Sequence, residues 1–214
     1  PPSLPTSRYP GATAPKHLNG TLPGDYGFDP LRLGSNADAL PYYREAEKMN
    51  GRWAMTAVAG ILTTELLGKG DWWTAGAADG ATGSFDLKTL IIIEAVFFAV
   101  VESARYKAWR SDPTGTAFDP AGMRSADKEL KELKNGRLAM VAFLGFASQA
   151  AVQGKGPIAC LQAHIADPWH NNIYTSSVGA EVCTAVIALT LAPMFIEAQR
   201  TLGDDDEEFR PIPW

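Results

Sequence analysis

The segment EKMNGRWAM at residues 47–55 recurs as ELKNGRLAM at residues 132–140. The copies share six identical positions at an offset of 85 residues, at which Glu47, Asn50, Gly51, Arg52, Ala54 and Met55 correspond to Glu132, Asn135, Gly136, Arg137, Ala139 and Met140. A shorter match, GFDP at 27–30 and AFDP at 117–120, precedes them. The offset is too long for a solenoid period. It predicts two helices related by a pseudo-twofold axis, which cross where the glycines and nearby alanines allow close approach.

Four stretches have the length of a membrane-spanning helix, which needs about 20 residues. They cover residues 41–67, 87–109, 127–153 and 178–199. The first and third begin with polar turns, and Gly68 and Gly154 stand where helix ends are expected. The sequence therefore predicts an all-α membrane protein with two crossed pseudo-symmetric spans, a third span and a fourth.

The basic residues alternate along the chain as they do in multispanning proteins. Lys and Arg number six in residues 1–52, two in 68–88, eight in 105–137, one in 154–177 and two from residue 200 onward. Under the positive-inside rule, this alternation places the N terminus, the central connection and the C-terminal tail on one side of the membrane. We expect an extended N-terminal segment over 1–40, a core over 41–176, an additional span over 177–200 and an acidic tail over 201–214.

The composition excludes several classes of protein. The chain has 19 basic and 24 acidic residues and a net charge of −5, which argues against a nucleic-acid partner. Cys160 and Cys183 have no metal or redox spacing, and His17, His164 and His170 are too scattered for a zincin motif. Since the sequence has no nucleophile–base constellation and no phosphate loop, we assign no enzymatic activity.

The repeated motif places Glu, Asn and Arg at positions i, i+3 and i+5. At 100° per residue, Arg lies about 140° from Glu, so pairing within one helix is unfavourable. Pairing across the axis is expected instead, between Glu47 and Arg137 and between Glu132 and Arg52. A lone charge at this depth would cost roughly 2.5 kcal/mol or more, and reciprocal pairs reduce that cost.

Two interpretations of the motif remain open on the residues alone. The first is a structural lock between two helices. The second starts from the lone pair that each paired carboxylate keeps and from the amide oxygens of Asn50 and Asn135, which face apolar surroundings where polar groups need partners. A hard cation with one open axial position, such as the magnesium of a porphyrin-like ring, would satisfy these oxygens within a net-neutral site.

Four longer motifs resemble the light-harvesting chlorophyll a/b-binding proteins of chloroplasts, nearest to the photosystem I antenna branch. They are LPGDYGFDPL (22–31), EAEKMNGRWAM (45–55), KELKNGRLAM (131–140) and GKGPIACLQAHIADPWHNNIYT (154–175). The resemblance covers about residues 17–176. It implies a thylakoid location with a stromal N terminus, and a short amphipathic lumenal helix. It also implies bound chlorophyll a, chlorophyll b and carotenoids of the lutein or xanthophyll type, together with membrane lipid.

The resemblance further implies which side chains hold chlorophyll magnesium. They are Glu47, Asn50, Glu94, Glu102, Glu132, Asn135, Gln149 and His164, with Arg52 and Arg137 as ion-pair partners and with Asp29 and Asp119 beside the ends of carotenoids. Plainer interpretations stand beside three of these roles. Glu102 and Arg105 form an i,i+3 surface pair, His164 is an ordinary interfacial histidine, and the FDP sequences are turns that lead into helices.

Two features depart from the common family pattern. Asn50 stands where many members have His, and in the family this Asn accompanies red-shifted chlorophylls, which predicts a low-energy chlorophyll pair here. The chain also continues beyond DPWHNNIYT to residue 214. The added span is expected to mediate self-assembly or docking to a photosystem or other antenna subunits, while Glu181 and Glu197 near its ends are interpreted as snorkelling residues.

The leading hypothesis is a non-enzymatic light-harvesting antenna that passes excitation to a photosystem, photosystem I rather than photosystem II. A related alternative is a photoprotective member that dissipates excitation. A small transporter with Glu/Arg pairs as a relay would be colourless, which separates it from both. Haem binding is the weakest alternative, because paired histidines on facing helices are lacking.

Overall fold

The computed structural model describes residues 15–77, 81–112, 119 and 121–202, and these form five helices and no strand. The helices are α1 (Leu40–Leu66), α2 (Leu87–Ser111), α3 (Ala126–Gln153), α4 (Pro157–Ala166) and α5 (Gly179–Leu202). Two single-turn 3-10 helices, Leu33–Ser35 and Ala75–Ala77, lie in the connections. The four long helices begin and end within three residues of their predicted bounds, which confirms the all-α prediction.

Local signals explain several helix ends. The Ser125 side chain accepts a hydrogen bond from the Lys128 N–H at the start of α3, and Gly154 ends that helix with a φ of 60°. At the start of α2, the Thr89 hydroxyl and N–H both donate to the Asp86 carboxylate, and these bonds lower the pKa of Asp86. The start of α2 and both ends of α3 are therefore delimited by local sequence.

The main packing contact is the crossing of α1 and α3. A Cβ atom added to Gly51 would lie 3.0 Å from the Cα of Gly136, and the reverse substitution would meet Gly51 at the same distance. Backbones approach this closely only where both residues lack a side chain. The predicted crossing point is confirmed.

Helix α2 is joined to α1 by three side-chain contacts at different heights. The rings of Tyr42 and Trp109 lie 6.4 Å apart, and those of Trp53 and Phe98 lie 5.2 Å apart. Between them, Arg105 Nη1 donates to the Glu45 Oε1 at 2.7 Å. Both aromatic contacts are edge-to-face arrangements of the rings.

Helix α4 is held by a carboxylate from the far end of α1. Glu65 accepts the Ile158 N–H at 2.9 Å and the Ala159 N–H at 2.8 Å. A carboxylate at this position satisfies two otherwise unpaired helix N–H groups and faces the positive end of the helix dipole. Glu65 therefore fixes the start of the short helix relative to α1.

The described residues bury very little apolar side chain. Their buried hydrophobic residues are Ile61, Ala139 and Cys160, and no large side chain among them is fully buried. Exposed apolar residues instead cover α2, α3 and α5, and examples are Ile92, Val96, Phe97, Leu138, Val141, Leu144, Leu189 and Phe195. Surfaces this apolar require partners outside the polypeptide.

Among the described helices, α5 alone is both long and apolar enough to cross a membrane, over Gly179–Ile196. Helices α1, α2 and α3 are longer, but charged side chains such as Glu47, Glu94 and Arg137 lie within them. The sequence predicted that the first and third segments would be weakly apolar. The second segment is also less apolar than a typical membrane span, because Lys88, Glu94 and Glu102 interrupt its apolar run.

Replacement of Gly51 by alanine is expected to lower the free energy of unfolding by about 1–3 kcal/mol, because the new methyl group would push the crossing helices apart. Gly60→Ala is the matched control on the same helix, since nothing lies within 4 Å of its added Cβ. That control should be neutral or should stabilise the helix by up to about 1 kcal/mol. Thermal loss of helical circular dichroism in detergent measures both, and equal effects of the two variants would contradict the proposed close contact.

Candidate functional site

Two reciprocal ion pairs lie at the crossing of α1 and α3. Arg137 Nε donates to Glu47 Oε1 at 2.6 Å, and Arg52 Nε donates to Glu132 Oε1 at 2.5 Å. Both predicted pairs are thereby confirmed. Arg137 also donates from Nη1 to the Gly24 carbonyl at 2.7 Å, which joins the N-terminal segment to the same site.

Each glutamate of these pairs uses only one of its two oxygens. In the part of the chain that the structure describes, the second oxygen of Glu47 and that of Glu132 have no hydrogen bond. Both glutamate side chains are about one-third exposed. A carboxylate held in this way has a fixed orientation, a neutralised charge and a free lone pair.

The two asparagines of the repeat have the same conformation. Asn50 Nδ2 donates to the Ala46 carbonyl at 2.8 Å, and Asn135 Nδ2 donates to the Lys131 carbonyl at 2.8 Å. Because the amide nitrogen is used within the helix, each Oδ1 is directed outward as an acceptor, and both residues are exposed. The pseudo-twofold relation therefore extends to the outer faces of both helices.

On α2, Arg105 Nε donates to Glu102 Oε2 at 2.7 Å, so the predicted i,i+3 pair is present. Glu94 lies eight residues earlier, about 12 Å along the axis, and is exposed between exposed isoleucine, valine and phenylalanine side chains. Glu94 is therefore exposed, whereas Glu102 is half-buried and linked through Arg105 to Glu45 of α1.

Gln149 and His164 lie on α3 and α4, and both are exposed. The His164 Nδ1 atom lies 2.7 Å from the carbonyl oxygen of Asn171. Since a carbonyl only accepts hydrogen bonds, Nδ1 carries the proton, and Nε2 of the neutral ring keeps its lone pair. The Nε2 atom of His164 is therefore available as a metal ligand.

The two FDP turns use their aspartates in the same way. Asp29 accepts the N–H groups of Leu33 and Gly34 at 3.0 and 2.8 Å, and Asp119 accepts those of Met123 and Arg124, both at 3.0 Å. The bonds to Asp119 lower the pKa of its carboxyl group. His17 Nε2 also contacts Asp29 at 2.8 Å. Both aspartates thus close turns, while residues 117, 118 and 120 lie outside the described residues.

Each of these side chains could give a metal ion one ligand atom, and they are distributed over the surfaces of the helices. The described residues contain no group of three or more His, Cys, Asp or Glu that could enclose a metal ion. The arrangement suits cations that already have an equatorial ligand set and take one further oxygen or nitrogen from the protein.

Two residues that organise the site were not found from the sequence. Glu45 connects α1 to Arg105 of α2, and Glu65 connects α1 to α4. Neither residue is set apart by the repeat: at the offset of 85, Glu45 corresponds to Leu130 and Glu65 to Ala150, but the neighbouring positions of the two copies differ as well.

Comparison with known proteins identifies the family. The family model described as "Chlorophyll A-B binding protein" matches residues 14–151. The chain is 44% identical over 186 residues to "Chlorophyll a-b binding protein 6, chloroplastic" of Arabidopsis thaliana, which covers 77% of this chain and 76% of that protein. It is 38% identical over 202 residues to "Photosystem I chlorophyll a/b-binding protein 5, chloroplastic" of the same plant, with 77% of each chain covered.

A barley relative gives the same result. "Chlorophyll a-b binding protein 1B-21, chloroplastic" of Hordeum vulgare is 40% identical over 188 residues, which cover 77% of this chain and 76% of the relative. The family model includes the crossing helices, both ion pairs and both asparagines, and it ends before α4 and α5. On these matches, the chain belongs to the light-harvesting chlorophyll a/b-binding protein family.

Proposed function

We propose that this protein is a light-harvesting antenna of the thylakoid membrane that passes excitation energy to a photosystem. Its family membership makes it a chlorophyll-binding protein, and carotenoids are typical of the family. The observation that carries the proposal is the reciprocal Glu–Arg lock, which leaves one oxygen of each glutamate and of each neighbouring asparagine without a hydrogen bond among the described residues.

The donor set fits the magnesium of chlorophyll, because each of these side chains would offer it one oxygen or nitrogen and the neighbouring exposed apolar residues would contact the ring. Bound chlorophyll supplies light absorption and excitation transfer, and the chain fixes the position and orientation of each ring. Arg52 and Arg137 neutralise the two ligating carboxylates, as a low-dielectric site requires. The eight proposed ligands are Glu47, Asn50, Glu94, Glu102, Glu132, Asn135, Gln149 and His164.

The carotenoid ends are proposed to rest beside the FDP turns. Asp29 and Asp119 hold these turns through backbone N–H groups in the same pattern, next to the two crossing helices. Their role is therefore to shape the turn, and the apolar faces of α1 and α3 provide the contact surface. The small number of buried apolar side chains among residues that the structure describes supports this arrangement, since pigment and lipid would supply the missing van der Waals contacts.

The proposed topology has four spans, formed by α1, α2, α3 and α5. The N terminus lies on the stromal side and α4 on the lumenal side, as the alternation of basic residues indicates. Residues 41–176 would form the pigment-binding core and residues 177–200 the additional span. Photosystem I is the proposed acceptor, and the name of one relative, a photosystem I chlorophyll a/b-binding protein, supports this choice.

The overall proposal is tested by assembling the chain with chlorophyll a, chlorophyll b and carotenoids and counting pigments per polypeptide. Asn135→Leu is expected to lose about one chlorophyll, because it removes an axial oxygen. Ser148→Ala is the control on the same helix, since the Ser148 hydroxyl donates to the Leu144 carbonyl of its own helix.

Excitation transfer is tested on the same assembled protein. Excitation of chlorophyll b should produce emission from chlorophyll a. A colourless protein would favour the transporter, and a strongly shortened fluorescence lifetime would favour the dissipative alternative.

Asn50 is proposed to hold the lower-energy member of a closely spaced chlorophyll pair. Its Oδ1 is a short ligand on an exposed helix face, and an imidazole at this position would hold the ring farther from the backbone. Asn50→His is expected to remove the red band from the low-temperature emission spectrum while keeping the pigment count. Asn135→His, the equivalent change in the other repeat, should leave that band in place. A red band that survives Asn50→His would refute this assignment.

Helix α5 is proposed to mediate association with other copies of the chain, with a photosystem or with other antenna subunits. The family model ends before it, and Val186, Leu189 and Phe195 on it are exposed. Truncation after Ser177 is expected to reduce the assembly size in mild detergent while the pigments bound by α1–α4 are retained. Unchanged assembly size, measured by native mass determination, would show that α5 has another role.

A further inference from the structure

We infer that Glu45 is a positioning residue for the chlorophyll bound at Glu102, a role that rests on the proposed ligand function of Glu102. Four charged side chains form a continuous chain between α1 and α2. Lys48 Nζ lies 2.5 Å from Glu45 Oε2, Arg105 Nη1 donates to Glu45 Oε1 at 2.7 Å, and Arg105 Nε donates to Glu102 Oε2 at 2.7 Å.

The two carboxylates of this chain differ in accessibility. The Glu45 side chain is 12% exposed, whereas that of Glu102 is 36% exposed. Glu45 has both oxygens engaged by cations, while Oε1 of Glu102 has no hydrogen bond within the described residues. Glu45 is therefore the anchored member, and Glu102 is the member with an oxygen available to a ligand.

The guanidinium group of Arg105 couples the orientation of the Glu102 carboxylate on α2 to that of Glu45 on α1. Its nitrogen donors are fixed in one plane, so the carboxylate that binds Nη1 sets the direction in which Nε points. Glu45 thus orients Arg105, and Arg105 orients the Glu102 carboxylate. With two positive and two negative groups, the whole chain is neutral, as a ligand in apolar surroundings requires.

The α1 side of the contact with α2 has no counterpart in the other copy of the repeat. At the offset of 85 residues, Tyr42, Glu45 and Trp53 of α1 correspond to Asp127, Leu130 and Leu138 of α3. These three α1 residues contact α2. The contacts with α2 therefore use residue types that the α3 copy does not share.

Removal of the Glu45 charge changes what Arg105 binds. Arg105 would then be free to rotate until Nη2, which lies on the same side of the guanidinium as Nε, engages the second oxygen of Glu102, because two-point binding of a carboxylate by arginine is favourable. The oxygen proposed to ligate magnesium would then be occupied. Outer partners of metal ligands typically change affinity about 10–100-fold when removed.

The test uses the full chain assembled with chlorophylls and carotenoids. Glu45→Gln is expected to retain the pigment at Glu102 about tenfold more weakly, so that one chlorophyll per chain is lost on washing in detergent. The difference absorption spectrum should match that of Glu102→Leu. Glu45→Asp keeps the charge but shortens the reach, and it should retain the pigment with a shifted absorption band.

Asp127→Asn is the matched control. It breaks another acidic ion pair, with Lys131 at 2.6 Å, in which both side chains are more than two-thirds exposed, and it should change neither pigment count nor spectrum. Loss of a pigment in Glu102→Leu but not in Glu45→Gln, or an unshifted band in Glu45→Asp, would overturn the role of Glu45 alone. Full pigment retention in Glu102→Leu would overturn both that role and the proposed ligation.

Discussion

Four charges placed where two helices cross are the constraint on which the rest of this structure depends. Glu47 with Arg137, and Glu132 with Arg52, can each be satisfied only while α1 and α3 keep one register and one crossing angle. The contact between Gly51 and Gly136 sets the distance, and the ion pairs exclude sliding or rotation. The symmetry of the outward-facing asparagines follows from this lock, since each lies three residues after a fixed glutamate.

The same lock accounts for how the described helices hold together with few buried apolar side chains. The polypeptide supplies a crossed pair of helices, a third helix attached at a few points and a short capped helix. The spaces between these elements are bordered by apolar side chains that the chain itself does not cover. Chlorophyll, carotenoid and lipid would then act as structural components, so that binding of pigment and stability of the protein are one property.

The sequence predicted those features that are repeated or periodic. The helix bounds follow from apolar runs and glycine ends, and the ion pairs follow from the positions of Glu and Arg in two copies of one motif. The contacts of Glu45 and Glu65 were missed, because each joins residues distant in sequence without a repeated pattern. Which donors hold which pigment depends on the bound rings, and these leave no periodic trace in the sequence beyond the residues that touch them.

The sequence separation of the locked residues has a consequence for biosynthesis. Arg52 and Glu132 are 80 residues apart, Glu47 and Arg137 are 90 apart, and Glu65 reaches N–H groups 93 and 94 residues later. Alone in a bilayer, α1 would carry Glu47, Arg52 and Glu65 without these partners, and unpaired charges resist burial in lipid. In the proposed topology we therefore expect α1 and α3 to enter the bilayer together, so that each charge is paired when it leaves water.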